Sequence, residues 1–329
     1  MTDIESPSQP PIVEEADAVV KRLSQVKKEI NRVIYGQDKV VELSLVTLLA
    51  GGHGLLVGLP GLAKTLLVKT LGTVLALDNN RIQFTPDLLP ADILGSEVLE
   101  EDDSGKRHFR FIKGPIFTQL LMADEINRAS PRTQSALLQA MQEHHVTVAG
   151  NRHDMATPFH VLATQNPIEQ EGTYPLPEAQ LDRFLLQIDV TYPDRDAERE
   201  MMIATTGAED KEAQRVLERG ELRTFQSLVR HVPVGEAVVD AALDLVRSAR
   251  PTSDDDDRIL WGAGPRAAQA LMLTARARAL LDGRLSPSIE DIHYLAPAVL
   301  KHRMALSFSA RAQGLTIDNI IAELIAPLD

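Results

Sequence analysis

The sequence has no cysteine and few aromatic residues. Without cysteine, disulfide bonds, thiolate zinc sites and cysteine nucleophiles are excluded, and a reducing, cytoplasmic location is expected. Aromatic residues make up 4% of the 329 residues, which leaves little surface on which single-stranded nucleic acid could stack. The 47 acidic residues outnumber the 34 basic ones, and the net charge is −13. We therefore expect no nucleic-acid partner.

The sequence also lacks a long apolar run. Its most apolar stretch, residues 54–77, is interrupted by Lys64 and Lys69, so no membrane insertion is expected. The N-terminus is acidic and proline-rich, whereas a signal peptide needs a basic and then an apolar segment. We predict a disordered tail at residues 1–12. A hydrophobic fraction of 44% is typical of globular proteins, and the length predicts two domains.

The order of apolar patterns predicts how these two domains are built. Apolar residues at helical spacing from Val19 to Val33 predict a helix packed on a core. Short apolar runs that alternate with helical patterns then predict a parallel sheet covered on both faces. Beyond residue 192 only helical patterns remain, and the acidic run at residues 254–257 is predicted to be a solvated loop. The prediction is an α/β domain at residues 13–192 followed by an all-helical domain at residues 193–329. The predicted strands are residues 54–57, 81–84, 120–124, 161–165 and 184–190.

A glycine-rich turn follows the first predicted strand and precedes a helix. Strand, glycine turn, Lys-Thr and helix is the context of a phosphate-binding loop, in which backbone N–H groups surround an anion. Lys64 is placed to reach the β and γ phosphates of ATP, and Thr65 offers a hydroxyl to Mg²⁺. The usual pattern has glycine where Ala63 stands, so we expect Ala63 to keep a negative φ. The alternative is an ordinary helix N-terminus that contains Gly and Lys. The predicted nucleotide-binding residues here are Gly58, Pro60, Gly61, Leu62, Ala63, Lys64, Thr65 and Leu66.

Polar residues end two further predicted strands. Asp124 and Glu125 end an apolar strand, where two carboxylates are costly unless a cation lies nearby. We assign Asp124 to Mg²⁺ and Glu125 to the attacking water, although the pair could also start a turn. Asn166 follows another strand and is followed by Pro167, so it lies at the edge where ligands of parallel sheets bind. It could orient water or contact the γ-phosphate, or be a turn residue.

Together these residues resemble the AAA+ ATPases, and specifically the MoxR family, over about residues 34–302. The segments that carry the resemblance are FTPDLLP at 84–90, ADEINRA at 123–129 and the long run at 163–184. The family also commonly has GLAKT in its phosphate loop, as residues 61–65 do here. The resemblance implies an AAA+ α/β domain with a helical lid.

The resemblance also implies roles for further residues. Residues 33–37, with Ile34, Tyr35 and Gly36 at their centre, would line the adenine pocket, and Asn166 would be the first sensor. Arg183 would be an arginine finger that reaches the ATP of a neighbouring subunit, and Arg266 would be the second sensor. Taken alone, each arginine could instead form a surface salt bridge.

The implied assembly is a six-membered ring. Residues 89–113 and 146–158 match two hairpin inserts of the family and would face the ring axis. Phe109 and Phe111, in the first insert, could grip a client chain.

The function implied is an ATP-hydrolysing chaperone that remodels or matures a client protein, or inserts a metal cofactor. A partner with a von Willebrand A domain is also implied. A magnesium-chelatase-like motor subunit is the alternative within the same mechanism. A DNA helicase or branch-migration motor is disfavoured by the charge of −13, and a non-hydrolysing scaffold by the presence of Glu125 and Arg183.

Overall fold

The computed structural model describes residues 11–101, 103, 105–169, 172–207, 211–251 and 258–326. The predicted tail at residues 1–12 lies outside this part of the chain except for its last two residues, which begin the first helix. The predicted acidic loop at residues 254–257 also lies outside it.

A five-stranded parallel sheet forms the centre of the first domain. The strands stand in the order β2-β5-β8-β1-β9, so β1 and β5 flank β8. The residues of β5 are all buried, as expected for a strand covered on both faces. The carboxyl ends of β5, β8 and β1 therefore meet at one edge of the sheet. The strands are β1 Gly54–Gly58, β2 Asn79–Gln83, β5 Leu120–Asp124, β8 His160–Gln165 and β9 Leu186–Val190.

Two hairpins project from this domain, as predicted for the inserts. In the first hairpin, β3 (Gly95–Glu101) pairs with β4 (Arg107–Lys113), and in the second, β6 (His145–Val148) pairs with β7 (Asn151–Asp154). The second turns through Ala149 and Gly150, both at positive φ, which is the geometry of a tight two-residue hairpin turn.

Helices cover both faces of the sheet. The predicted helix around Val19–Val33 is α1, in which Val19, Leu23, Val26 and Ile30 are buried. The helix α3 follows β1 directly, as a phosphate loop requires. The helices of this domain are α1 Pro11–Asn31, α2 Asp38–Leu49, α3 Lys64–Val74, α4 Pro90–Leu94, α5 Pro131–Glu143 and α6 Glu178–Leu181.

The second domain is helical, as predicted, and it also contains a small antiparallel ribbon. The ribbon pairs β10 (Ile259–Trp261) with β11 (Ala305–Leu306), two strands too short to give a sequence pattern. A short 3₁₀ helix, Lys301–Arg303, precedes β11. The helices are α7 Arg195–Thr205, α8 Glu221–His231, α9 Glu236–Ser248, α10 Pro265–Leu281, α11 Ile289–Leu300, α12 Phe308–Ala312 and α13 Ile317–Ile325.

In the part of the chain that the structure describes, the second domain, called the lid below, shares its apolar core with the first domain. One cluster of buried apolar residues runs from α1 and α2 through one face of the sheet into α8–α11. A second cluster fills the other face, under α4 and α5. Within the described ranges, no helix combines the length and apolarity needed to cross a bilayer.

A buried network of charges also ties the lid to α2. Asp291 is fully buried, and its carboxylate binds Arg278 and Arg284. Arg278 continues the network to Glu42 of α2 at 3.0 Å and stacks over the Tyr294 ring at 4.0 Å. Breaking one member of such a network would leave a buried charge without its partner, so the network fixes α10 and α11 against α2.

Candidate functional site

The turn between β1 and α3 lines a cavity of about 440 Å³. Gly61 has φ +84°, and a Cβ there would meet open space. The helix α3 has neither a side-chain cap nor an acidic residue in its first turn. Its first N–H groups and the positive end of its dipole therefore lie free to bind an anion in the cavity. Residues 60–66 line the cavity together with Asp124, Glu125, Thr164 and Asn166.

The prediction of a negative φ at Ala63 is wrong. Its φ is +57°, in the left-handed region, rather than negative. Ala63 is the residue before the helix, and the chain uses the left-handed conformation there to turn from the loop into α3. For an L-residue with a Cβ this conformation costs roughly 1–2 kcal/mol, which explains why the usual pattern has glycine at this place. Ala63 therefore has the left-handed backbone conformation that glycine usually has at this place, and its backbone is strained.

The side chain of Lys64 folds back onto the loop that precedes it. Its Nζ donates to the carbonyl oxygens of Gly58 at 2.6 Å and Leu59 at 2.7 Å. Burial lowers the pKa of Lys64, and the charges of Asp124 and Glu125 oppose that shift. An ammonium has three N–H donors, so these two bonds leave capacity for a bound anion.

The two carboxylates share one threonine but have different partners. Thr164 donates its hydroxyl to Asp124 and accepts from the backbone N–H of Glu125 at 2.8 Å. Asp124 also accepts from Arg81 at 2.6 Å. Glu125 has φ +54°, a conformation that turns the chain away from the strand at this residue.

The Glu125 carboxylate is held by two side-chain donors. Its Oε2 accepts from Gln83 Nε2 at 2.8 Å and from Arg128 Nη1 at 2.9 Å. The hydrogen bond that Arg128 donates to Glu125 in turn raises the pKa of Arg128. Both bonds end on Oε2, so this oxygen can bind a water molecule only when one of the two donors moves away.

Asn166 lies at the end of β8, as predicted, and is buried. Its Oδ1 accepts from the backbone N–H of Ile168 at 3.2 Å, a bond that fixes the orientation of the amide. The side chain lines the same cavity as Lys64 and the two carboxylates.

The two predicted arginines lie elsewhere, in a second cavity of about 250 Å³. Arg183 donates to the carbonyl of Leu138 at 2.7 Å. Arg266, at the start of α10, pairs with Asp182 at 3.5 Å. We call the first space the loop cavity and the second, lined by Asp182, Arg183, Arg266 and Arg303, the arginine cavity. The structure thus divides the predicted site residues into two groups.

The sequence matches two families. Residues 53–186 match the "ATPase family associated with various cellular activities (AAA)", and residues 253–324 match the "AAA lid domain". Over 313 residues, the chain is 42% identical to "Chaperone MoxR1" of Mycobacterium tuberculosis, an alignment that covers 94% of this chain and 82% of that protein. The chain belongs to the MoxR family of AAA+ ATPases. The predicted family is confirmed, and with it nucleotide binding and ATP hydrolysis as general properties of the family.

Two further relatives of this MoxR-family chain agree with the assignment. It is 40% identical to the uncharacterized protein YeaC of Bacillus subtilis, over 92% of this chain and 93% of that protein. The solved structure of a Cytophaga hutchinsonii protein described as an ATPase matches with a TM-score of 0.87 and 38% identity, covering 95% and 96% of the two chains. The predicted fold class is therefore confirmed.

The segment assigned to the adenine pocket of this MoxR-family ATPase only partly lines a cavity. Val33 lines a space of about 170 Å³ that shares Leu66 with the loop cavity. Ile34 is instead buried in the core, and Tyr35 bonds the carbonyl of Arg32 at 3.1 Å. Gly36 has φ +64°, and a Cβ there would lie 2.7 Å from Pro193 Cβ. The small space is completed by residues that the sequence did not indicate, Lys69, Thr70, Thr73, Lys211, Glu212 and Ala213.

Four further residues around the carboxylates were not predicted: Arg81, Gln83, Arg128 and Thr164. Arg81 and Gln83 lie two residues apart in β2, and the register places Gln83 opposite Asp124. A sequence signal was present, because polar residues two apart on one strand share a face, and β2 is the neighbour of the strand that ends in Asp124. Arg128 lies three residues after Glu125, and Thr164 interrupts an apolar strand two residues before Asn166.

The two candidate client-gripping phenylalanines differ in environment. The Phe109 side chain is 69% exposed and is cross-strand partner to Leu99, itself 55% exposed. Phe111 instead stacks on His153 of the second hairpin, with the ring centroids 3.8 Å apart. Phe109 is therefore available for contact with another chain, whereas Phe111 joins the two hairpins.

Proposed function

We propose that this protein binds Mg²⁺-ATP in the loop cavity, hydrolyses it with the help of a neighbouring copy, and uses the cycle to remodel client proteins. One observation carries the proposal. The uncapped N-terminus of α3 and Lys64 share one cavity with Asp124, Glu125 and Asn166. A positive, anion-binding wall next to two carboxylates is the arrangement that phosphoryl transfer requires.

The residues of the loop cavity fit Mg²⁺-ATP. Hard divalent cations prefer oxygen ligands, and the Thr65 hydroxyl and the Asp124 carboxylate supply them. Asp124 Oδ2 accepts two hydrogen bonds from Arg81 and Oδ1 accepts one from Thr164, so Oδ1 keeps a lone pair for a cation. The open space beside Gly61 lets phosphate oxygens approach the backbone.

In this proposal each side chain has a separate task. When bound, Mg²⁺-ATP supplies the transferable γ-phosphoryl group and the charge that Lys64 and the α3 N-terminus stabilise. Glu125 orients a water and accepts its proton once Gln83 and Arg128 have released the carboxylate. The Asn166 amide holds that water or the γ-phosphate in line.

The arginine cavity is the reason to propose an oligomer. Arg183 and Arg266 are absent from the lining of the loop cavity, although their guanidinium groups suit phosphate oxygens. We infer that both arginines act on the ATP of an adjacent subunit. The family resemblance suggests a closed ring of six copies, in which each interface combines one loop cavity with one arginine cavity.

Client remodelling is supported by the hairpins and by the name of a relative. The exposed Phe109 and Leu99 form an apolar step on the first hairpin that an unfolded segment could contact. The similar M. tuberculosis protein is called a chaperone. We further propose that the client is delivered through a partner containing a von Willebrand A domain, and that maturation includes insertion of a metal cofactor.

ATP hydrolysis by the purified protein tests the proposal. Phosphate release should require Mg²⁺, and Lys64→Ala should lose nucleotide binding because it removes the main point charge facing the β and γ phosphates. Lys21→Ala, an exposed lysine of α1, is the matched control and should bind and hydrolyse ATP normally. Undiminished ATP affinity of Lys64→Ala would contradict the assignment of the loop cavity.

The client is tested separately with the Glu125→Gln protein in its native host. This variant should remain loaded with ATP and retain client and partner proteins. The control is the Lys64→Ala/Glu125→Gln double variant, which should retain neither. If both variants capture the same proteins, client binding does not depend on ATP and the remodelling cycle is wrong.

A further inference from the structure

Arg303 is a buried cation for which the proposed mechanism has no task. It belongs to the 3₁₀ helix of the lid, and only 3% of its side chain is exposed. Burial lowers its pKa, and the hydrogen bond to Asp182 opposes that shift. A buried guanidinium is costly unless its donors are satisfied. The arrangement of its partners is therefore informative.

The Arg303 donors converge on the residues that surround Arg183. Nε donates to Asp182 Oδ1 at 2.7 Å, and Nη2 donates to the carbonyl of Phe184 at 2.7 Å. Nη1 donates to the carbonyls of Leu185 at 3.2 Å and Val299 at 2.6 Å. The side chain of Arg303 thus binds the residue before Arg183 and the two residues after it.

Asp182 connects this buried arginine to the second arginine of the cavity. Its Oδ1 binds Arg303, and its Oδ2 lies 3.5 Å from Nη1 of Arg266. Arg303 fixes the inner oxygen of the carboxylate, so the outer oxygen has a defined position from which to hold Arg266. One carboxylate therefore sets the spacing of Arg183 and Arg266.

The residues next to Arg303 reinforce the same attachment. His302 bonds the carbonyl of Phe184 at 3.0 Å, and Lys301 binds Asp189 of β9 at 2.6 Å. Three consecutive lid residues therefore bind the segment 182–189. A movement of the lid would displace Arg183 and Arg266 together.

We propose that Arg303 is a positioning residue for ATP hydrolysis, which holds Arg183 and Arg266 in the geometry needed at the ATP of the adjacent subunit. The inference rests on the proposed role of the arginine cavity between subunits. A lysine at this place keeps the charge but cannot fork between Asp182 and the carbonyls of Phe184 and Leu185. Arg303→Lys should therefore leave the fold in place and loosen the arginines.

Steady-state kinetics of Arg303→Lys provide the first test. Turnover should fall about 10–100-fold, the size of effect that a small misplacement of a reacting group produces, while the nucleotide dissociation constant stays within about twofold. Arg278→Lys is the matched control, because Arg278 is a lid arginine with a buried carboxylate partner whose ion pairs among the described residues are with Glu42, Asp282 and Asp291 rather than with residues 182–185. It should lower the melting temperature and leave turnover per folded molecule unchanged. If Arg278→Lys loses as much turnover as Arg303→Lys, the effect is general damage to the lid and the inference is wrong.

Mixed assemblies separate positioning from general damage. Arg303→Lys subunits keep an intact Glu125, so mixing them with Glu125→Gln subunits should restore part of the activity at interfaces that join the two intact faces. Mixing Arg303→Lys with Arg183→Ala should restore nothing, because both changes damage the same face. Recovery in that second mixture, after subunit exchange is demonstrated, would overturn the inference.

The same mixtures distinguish this inference from the proposed function. If Arg183→Ala with Glu125→Gln also fails to recover activity, the role of Arg183 between subunits is wrong. If that pair recovers but Arg303→Lys with Glu125→Gln does not, only the role of Arg303 is wrong. Asp182→Asn is the second variant, in case Arg303→Lys does not fold. It should behave like Arg303→Lys in each mixture, and normal turnover of Asp182→Asn would overturn the inference.

Discussion

The loop cavity and the arginine cavity are built in different ways. The loop cavity is mostly one continuous segment, residues 60–66, completed by the ends of β5 and β8. The arginine cavity combines Asp182 and Arg183 with Arg266 and Arg303, residues that only the packing of the lid brings together. The shape of the loop cavity therefore depends on local backbone geometry, whereas the shape of the arginine cavity depends on the position of the lid. A conformational change of the lid can alter the second cavity without rebuilding the first.

The largest expected effect is a loss of turnover when Arg183 of the arginine cavity is removed. Arg183→Ala should bind ATP nearly normally, because Arg183 is outside the loop cavity, yet lose about 10³–10⁵-fold in turnover as arginine-finger variants do. Nucleotide titration and phosphate release measured on the same protein check it.

A mixture of Arg183→Ala and Glu125→Gln subunits is the control. Some interfaces then join an intact Glu125 to an intact Arg183, and part of the activity should return. Monomeric protein that hydrolyses ATP as fast as the assembled form would show that the two cavities do not cooperate between subunits.

A smaller effect is expected within the loop cavity itself. Glu125→Gln should retain ATP and slow hydrolysis about 10²–10⁴-fold, the usual loss when a general base is removed. Single-turnover measurements with preloaded ATP separate the chemical step from binding. Turnover close to that of the unchanged protein would make Glu125 a structural residue.

The third prediction concerns the pH dependence of stability, which two buried histidines at and beside the arginine cavity determine. Burial lowers the pKa of His53, which lines this cavity, to about 3, and that of the neighbouring His160 to about 4. Both stay neutral in the folded protein, whereas the unfolded chain takes up protons below about pH 6.5. Stability is therefore fully present above pH 6.5 and is lost as the pH falls, by about 2 kcal/mol for each histidine at pH 5.

Denaturant unfolding at several pH values measures this loss. His160→Gln should be less stable at pH 8 but should show a shallower pH dependence, because one of the two histidines no longer takes up a proton on unfolding. A stability that is the same at pH 5 and pH 8 would contradict the prediction.

The smallest expected effect is confined to the loop. Ala63→Gly relieves the left-handed strain but makes the unfolded chain more flexible, so a net gain of about 0.5–1 kcal/mol in the free energy of unfolding is expected. Ala50→Gly, at φ −72°, is the matched control and should lose a similar amount. Calorimetry of both variants measures the difference, and a loss of stability in Ala63→Gly would show that the Cβ makes a stabilising contact.

The sequence predicted the loop cavity better than the arginine cavity. Strand periodicity and the glycine turn were enough to bring Lys64, Asp124 and Asn166 to one edge of the sheet, because parallel neighbours end together. The sign of φ at Ala63 was missed, since a residue type alone does not reveal a strained conformation that the surrounding turn imposes. The bond of Gln83 to Glu125 and the bonds of Arg303 were missed for another reason. Gln83 and Arg303 are distant in sequence from the residues they hold, and only strand register and lid packing make them neighbours.

The stacked hairpins have a mechanical consequence. A free two-stranded hairpin is weakly stable and bends easily. Here Phe111 stacks on His153, and Asn151 bonds Glu97 at 3.4 Å, so the two hairpins brace each other. A force applied at Phe109 would therefore reach α4, which precedes β3, and also α5, which precedes β6. The two braced hairpins thus connect Phe109 to the first domain at two separate places along the chain, Gly95 after α4 and His145 after α5.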